Sequence, residues 1–88
     1  MIIQNADPQF ILTPNPANGT TTIVLNELYG YAMFKIVDIL GNTIYENEVS
    51  NSLKHEIDLE NISSGIYFVV LFNDKISCTK KLIVNRDF

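Results

Sequence analysis

The stretch Gly65-Ile66-Tyr67-Phe68-Val69-Val70-Leu71-Phe72-Asn73 decides the fold. From Ile66 to Phe72 no polar residue interrupts the run, so a strand built from it is hydrophobic on both faces. Such a strand belongs in the centre of a sheet, with a neighbour on each side to pair its backbone and hide its edges. The run is far shorter than the roughly 20 apolar residues that a membrane-spanning helix needs.

On its C-terminal side, Asn73-Asp74-Lys75 forms a hairpin turn into a last strand, Ile76–Val84, and residues 85–88 are a tail. Upstream, short β-rich runs alternate with clusters of Gly, Asn, Asp, Ser and Pro, and no stretch sustains a helical repeat. Gln9–Thr13 is the first strand; Pro14 and Pro16 after it cannot donate to a ladder, so this segment belongs at an edge or in a connection. Asn18-Gly19 turns the chain into Thr20–Asn26, with Ile23 and Leu25 inward. In Tyr31–Ile39, Lys35 points to water and its neighbours Phe34 and Ile36 point in. Asp38-Ile39-Leu40-Gly41-Asn42 reads as a tight hairpin, with Gly41 supplying a positive φ. Thr43–Val49 is half polar and suits an edge, and Lys54–Leu59 turns His55, Ile57 and Leu59 inward. Tyr67, just inside its strand behind Gly65, has the placement of a tyrosine corner, ring packed inside and hydroxyl reaching backbone upstream. The expectation is an all-β domain, a seven-stranded antiparallel immunoglobulin-like β-sandwich over residues 9–88, ahead of a small barrel, with residues 1–8 as a linker.

The chain has 88 residues, enough for one modest core, and 47% of them are hydrophobic, which argues against disorder. Its net charge of −4 disfavours nucleic acid as a partner. The charge is unevenly spread: Glu46, Glu48, Glu56, Asp58 and Glu60 crowd the middle, and Lys80, Lys81 and Arg86 make the end locally basic. A single cysteine, Cys78, leaves no internal disulfide. Met1-Ile2-Ile3 followed by Gln4, Asn5 and Asp7 lacks the layout of a secretory signal, so export would have to be started from outside this chain.

Catalysis needs converging titratable groups. His55 is the single histidine, and Ser50, Ser52, Ser63 and Ser64 lack a nucleophile-elbow pattern around them. Cys78 in a strand reads as a buried, inert thiol. No zinc spacing is present; Asp38, Asp58 and Asp74 at strand ends would suit a loop-borne calcium ion, but turn formation accounts for them. Neither metal nor cofactor is expected. Tyr29, Tyr31 and Tyr45 are the residues from which an aromatic sugar platform would be built, in a carbohydrate-binding or adhesive module. Asn18-Gly19-Thr20 and Asn61-Ile62-Ser63 match the N-glycosylation pattern, which matters only in a glycosylating host.

Four segments in order then become recognisable: Pro14-Asn15-Pro16-Ala17-Asn18-Gly19, Asp38-Ile39-Leu40-Gly41-Asn42, Ile57-Asp58-Leu59 leading through Ile62-Ser63-Ser64 to Gly65-Ile66-Tyr67, and Lys80-Lys81-Leu82-Ile83-Val84. Each alone is common; their order and spacing over residues 11–85 resemble the type A C-terminal sorting domain of the type IX (Por) secretion system of Bacteroidetes. The resemblance implies a non-enzymatic label at the C-terminus of a cargo protein. The cargo enters the periplasm by its own signal peptide, the folded label is read by the outer-membrane translocon and its shuttle protein, and a sortase-like protease then cuts upstream of it. The cargo ends at the cell surface or is released, without membrane insertion of the label. This chain would be the excised label of a longer precursor, with Met1 added at its start. Asn85-Arg86-Asp87-Phe88 extends past the point where many relatives stop. The expected recognition element is the last strand, Lys80, Lys81, Leu82, Ile83 and Val84, presented as an edge with Lys80 or Lys81 exposed, pairing with a receptor strand being one route. Lysines on an edge also guard against aggregation, a role that competes with recognition. Pro14, Asn15, Pro16, Gly19, Asp38, Gly41, Gly65 and Tyr67 are expected to shape turns.

Overall fold

Residues 10–26, 28, 31–49 and 52–86 are described by a computed structural model. Seven strands run through them: β1 Phe10–Thr13, β2 Thr20–Leu25, β3 Ala32–Val37, β4 Thr43–Val49, β5 Lys54–Asp58, β6 Gly65–Phe72 and β7 Ser77–Val84. Every expected strand is present, most of them trimmed by a residue or two at the ends. Gln9, the linker proposed over residues 1–8, Tyr29, and the last two residues of the tail lie outside the described residues.

The strands form two antiparallel sheets, a three-stranded one in the order β1-β2-β5 and a four-stranded one in the order β4-β3-β6-β7. β1 and β4 lie at edges, as their prolines and polar content predicted. β6 lies between β3 and β7, pairing Val37 with Phe68 on one side and Phe68 with Lys81 on the other. Alternation decides which residues enter the core: β2 buries Thr21, Ile23 and Leu25, β3 buries Ala32, Phe34 and Ile36, and β6 buries Tyr67, Val69 and Leu71. These side chains meet Phe10 and Leu12 of β1, Ile57 and Leu59, and Leu82 and Val84 of β7 in one core between the sheets.

Local chemistry sets the turns. Asp38 organises the β3–β4 hairpin: its Oδ1 accepts the amides of Leu40 and Asn42, each at 2.9 Å, and Gly41 adopts φ 89°. A register shift between Ile36 and Val37 follows from this hairpin. Asn73 plays the same part between β6 and β7, its Oδ1 accepting the amides of Lys75 at 2.7 Å and Ile76 at 2.9 Å.

Candidate functional site

Among the described residues β7 pairs with a strand on one side only, so it is the edge that the sequence suggested. Its side chains divide between two faces. Leu82 and Val84 are buried at 0% and 2% exposure, and Lys80 shares their face. Lys80 is partly exposed at the core margin, lining a shallow groove of about 250 Å³ with Phe10, Ile11, Val24, Leu25 and Asn26. Lys81 and Ile83 point the other way, to the outer surface of the sheet, Lys81 exposed and Ile83 partly so. The five candidate recognition residues are therefore not one surface: Leu82 and Val84 face the core, and Lys80 and Lys81 look in opposite directions.

The free backbone edge of β7 is half closed by the segment after β1. The Asn15 side-chain amide donates to Lys81 O at 2.8 Å, and its carbonyl oxygen accepts the Ile83 amide at 3.0 Å. Ala17 continues the match, donating to Ile83 O at 2.8 Å and accepting from the Asn85 amide at 2.7 Å, in a parallel bridge to Val84. Thr21, buried on β2, donates its hydroxyl to Pro14 O at 2.8 Å and fixes the segment from below. Pro14-Asn15-Pro16 is thus more than a turn: Asn15 stands in for a missing strand residue, with one donor and one acceptor aimed at the edge. Both X-Pro bonds here are cis. By the alternation of an antiparallel ladder, Ser77 and Thr79 also aim their backbone groups at this edge, and no described strand lies beyond them.

The end of the strand is tied down by Arg86, a residue of the expected tail. Its guanidinium donates to the carbonyls of Leu59, Glu60 and Ile62, and its amide donates to Ser64 Oγ at 2.9 Å. The same crossover holds Tyr67, whose hydroxyl donates to Ser63 O at 2.7 Å. Gly65 adopts φ 158°, a backbone conformation that L side chains rarely take, while a Cβ there would be in ordinary contact with Tyr67 Cε1 at 3.6 Å. Gly19 has no positive φ; its carbonyl accepts the Leu59 amide at 2.8 Å. Long-range partners of Asn15 and Arg86 leave no mark in local sequence pattern, whereas buried Thr21 was readable from its two-residue spacing to Ile23.

The candidate residues for chemistry are scattered. His55 and Cys78 lie on different sheets, and Cys78 is partly buried against the core. Asp38 and Asp58 line one cavity of about 650 Å³ with Tyr45, Ser63 and Tyr67, but Asp74 lies past the other end of β6. Asp58 Oδ1 already accepts the Glu60 amide at 2.9 Å. Hydrogen bonds to the Asp38 carboxylate, first the one from the Asn42 amide, hold its pKa below the ordinary 3.8. No group of three or more His, Cys, Asp or Glu able to hold a metal occurs among the described residues. Tyr31 precedes β3 and Tyr45 pairs with Ile36 toward its far end, packed on Phe34 with ring centroids 5.8 Å apart, so these two rings do not form one platform.

Comparison with known proteins points one way. The family described as the secretion system C-terminal sorting domain matches residues 12–85. An ulvan lyase of Nonlabens ulvanivorans is 34% identical over 73 residues, which cover 82% of this chain and 14% of the lyase. The chain thus spans a small fraction of that relative's length. The four motifs lie inside the matched region, on the hairpin, the crossover, the edge segment and the terminal strand just described. This chain belongs to the family of C-terminal sorting domains, the signals that direct a protein to export by the type IX secretion system.

Proposed function

We propose that the type IX machinery reads this domain in its folded state, through the outward side chains of its terminal strand. Of Lys80, Lys81, Leu82, Ile83 and Val84, the readable ones are Lys81 and Ile83; Leu82 and Val84 act through the core, and Lys80 guards its margin. The supporting observation is the clamp on the strand edge, where Asn15 and Ala17 occupy the backbone groups of Ile83 that a receptor strand would need. Strand addition is left only Ser77–Thr79, a short stretch for that mode of recognition. On this reading the turn residues Pro14, Asn15, Pro16, Gly19, Asp38, Gly41, Gly65 and Tyr67 present the strand rather than touch the receptor.

The same reading assigns residues 9–88 to the domain and residues 1–8 to a linker from an N-terminally fused cargo. The partners are the outer-membrane translocon, a shuttle protein, and a sortase that cuts upstream of the domain; neither nucleic acid nor membrane insertion is involved. The domain passes through the periplasm, and the cargo finishes at the cell surface or in the medium. It is not an enzyme, and no cofactor serves it. An immunoglobulin-like arrangement is supported by the strand order, by the crossover of the chain from β1 to a parallel bridge with the last strand, and by the Tyr67 hydrogen bond.

A signal-peptide-bearing reporter fused ahead of residue 9 tests the proposal in a type IX-competent cell. External reporter is expected, with export reduced by Lys81→Ala and little changed by Lys80→Ala. A folded fusion retained in the periplasm contradicts the proposal. Equal export of the parent and Lys81→Ala removes Lys81 from the recognised surface.

A further inference from the structure

The central strand leaves an unusual surface uncovered. Residues of β6 that do not face the core are all apolar: Ile66, Phe68, Val70 and Phe72. Ile66 is 48% exposed and the other three are partly exposed, and no described element packs over them. Cross-strand register extends the row. Ile66 stands beside Ile83, Phe68 beside Val37, and Phe72 beside Met33, all on the outer side of the four-stranded sheet. Flanking strands close the edges of β6, but only a further layer could close this face, and a water-exposed sheet face normally alternates to polar residues.

The margins of the face carry charge. Lys35, beside Val70, holds its Nζ over the Phe72 ring at 5.5 Å from the centroid, and Lys81 stands beside Phe68. Two of the chain's six basic residues thus frame the apolar row of a protein whose net charge is −4. On the far side, β4 contributes Glu46 beside Lys35 and Glu48 beside Met33.

Resting on the sorting reading above, we infer that this outer face of β3, β6 and β7 is the docking surface for the export machinery, and that its occupant is a protein surface with an apolar ridge flanked by carboxylates. Charge favours that partner: carboxylates placed opposite Lys35 and Lys81 are attracted locally, whereas Glu46 and Glu48 beside the face and the acidic body of the domain repel a surface that is anionic throughout. Size favours a short-lived contact. Seven residues along the strand at ~3.3 Å each and three or four strand widths of ~4.8 Å give a face of about 330–440 Å². Doubled for two partners, this stays below the roughly 1,200 Å² of a stable interface, which suits a label that must be released and argues against a lasting dimer of this chain.

The test uses the reporter fusion, first with the unaltered domain. Export of that fusion establishes the sorting reading, and its retention in the periplasm removes both that reading and this inference. Variants away from β7 then isolate the face: Ile66→Thr with Val70→Thr, and separately Lys35→Glu, each purified and melted to establish that it folds, with Glu56→Gln on the other sheet as control. Loss of export by about tenfold in both face variants, with melting close to the parent and the control unaffected, is expected for hot-spot residues. If the double variant unfolds early, Lys35→Glu decides. Normal export of a folded face variant overturns the inference while Lys81→Ala still reports on the sorting reading. A concentration-dependent dimer that the double variant abolishes without loss of export reassigns the face to a second copy of the chain and overturns it as well.

Discussion

Two hydroxyl- and carboxylate-bearing side chains show how single residues fix this chain. Tyr67 places a ring in the core and a hydroxyl on Ser63 O at 2.7 Å, so one residue binds the crossover before β6 to the sheet. Tyr67→Phe keeps the ring and loses the bond, and is expected to lower unfolding free energy by about 1 kcal/mol in urea denaturation. No measurable change would mean that the bond contributes nothing net. Asp38 is a pH-sensitive element. Its carboxylate accepts backbone amides, which lowers its folded pKa below the ordinary 3.8. A lowered folded pKa stabilises the fold above the unfolded value, and that contribution disappears as pH falls through the folded value. The melting temperature is therefore expected to drop as pH is lowered from about 6 to about 3, and Asp38→Asn, which keeps an acceptor oxygen without the titrating group, to drop less. Identical pH dependence of the two proteins would exclude Asp38 as a contributor.

At the level of elements, edge and centre were legible in the sequence, and what covers them was not. Polar alternation in Thr43–Val49 and prolines after Gln9–Thr13 marked β4 and β1 as edges, because both properties act through the strand's own backbone and faces. The doubly apolar Gly65–Asn73 run marked β6 as central, but flanking strands were expected to account for its hydrophobicity. They cover its edges; no described element covers the outer row from Ile66 to Phe72. The clamp of Asn15 on β7 was illegible for a different reason. It joins residues 66 and 68 positions apart, and no local propensity encodes such a pairing. Arg86 likewise reads as a solvated tail residue until the carbonyls of the crossover are seen around it. Among the candidate recognition residues, the two-residue period of a strand already separates Lys81 and Ile83 from Lys80, Leu82 and Val84. The aliphatic pair Leu82 and Val84 marks the core-facing set, and both are buried.

For the whole molecule, recognition and folding are entangled in the terminal strand. Leu82 is fully buried, and Leu82→Ala should cost about 2–5 kcal/mol, a large share of the ~5–15 kcal/mol that holds a typical domain together. Truncation through β7 would therefore abolish export by unfolding the domain, and Lys81→Ala, at an exposed position, is expected to leave the urea midpoint nearly unchanged. A clear shift in that midpoint would place Lys81 in the fold rather than on the recognised surface. Recognition through side chains requires that the clamped end of β7 is closed to strand pairing. Amide hydrogen exchange tests this most directly, by comparing Ile83 with Thr79 on the same edge. Slow exchange at Ile83 and fast exchange at Thr79, with Ile83 becoming as fast as Thr79 in Asn15→Ala, is the predicted result; equally fast exchange at both in the unaltered protein would contradict it.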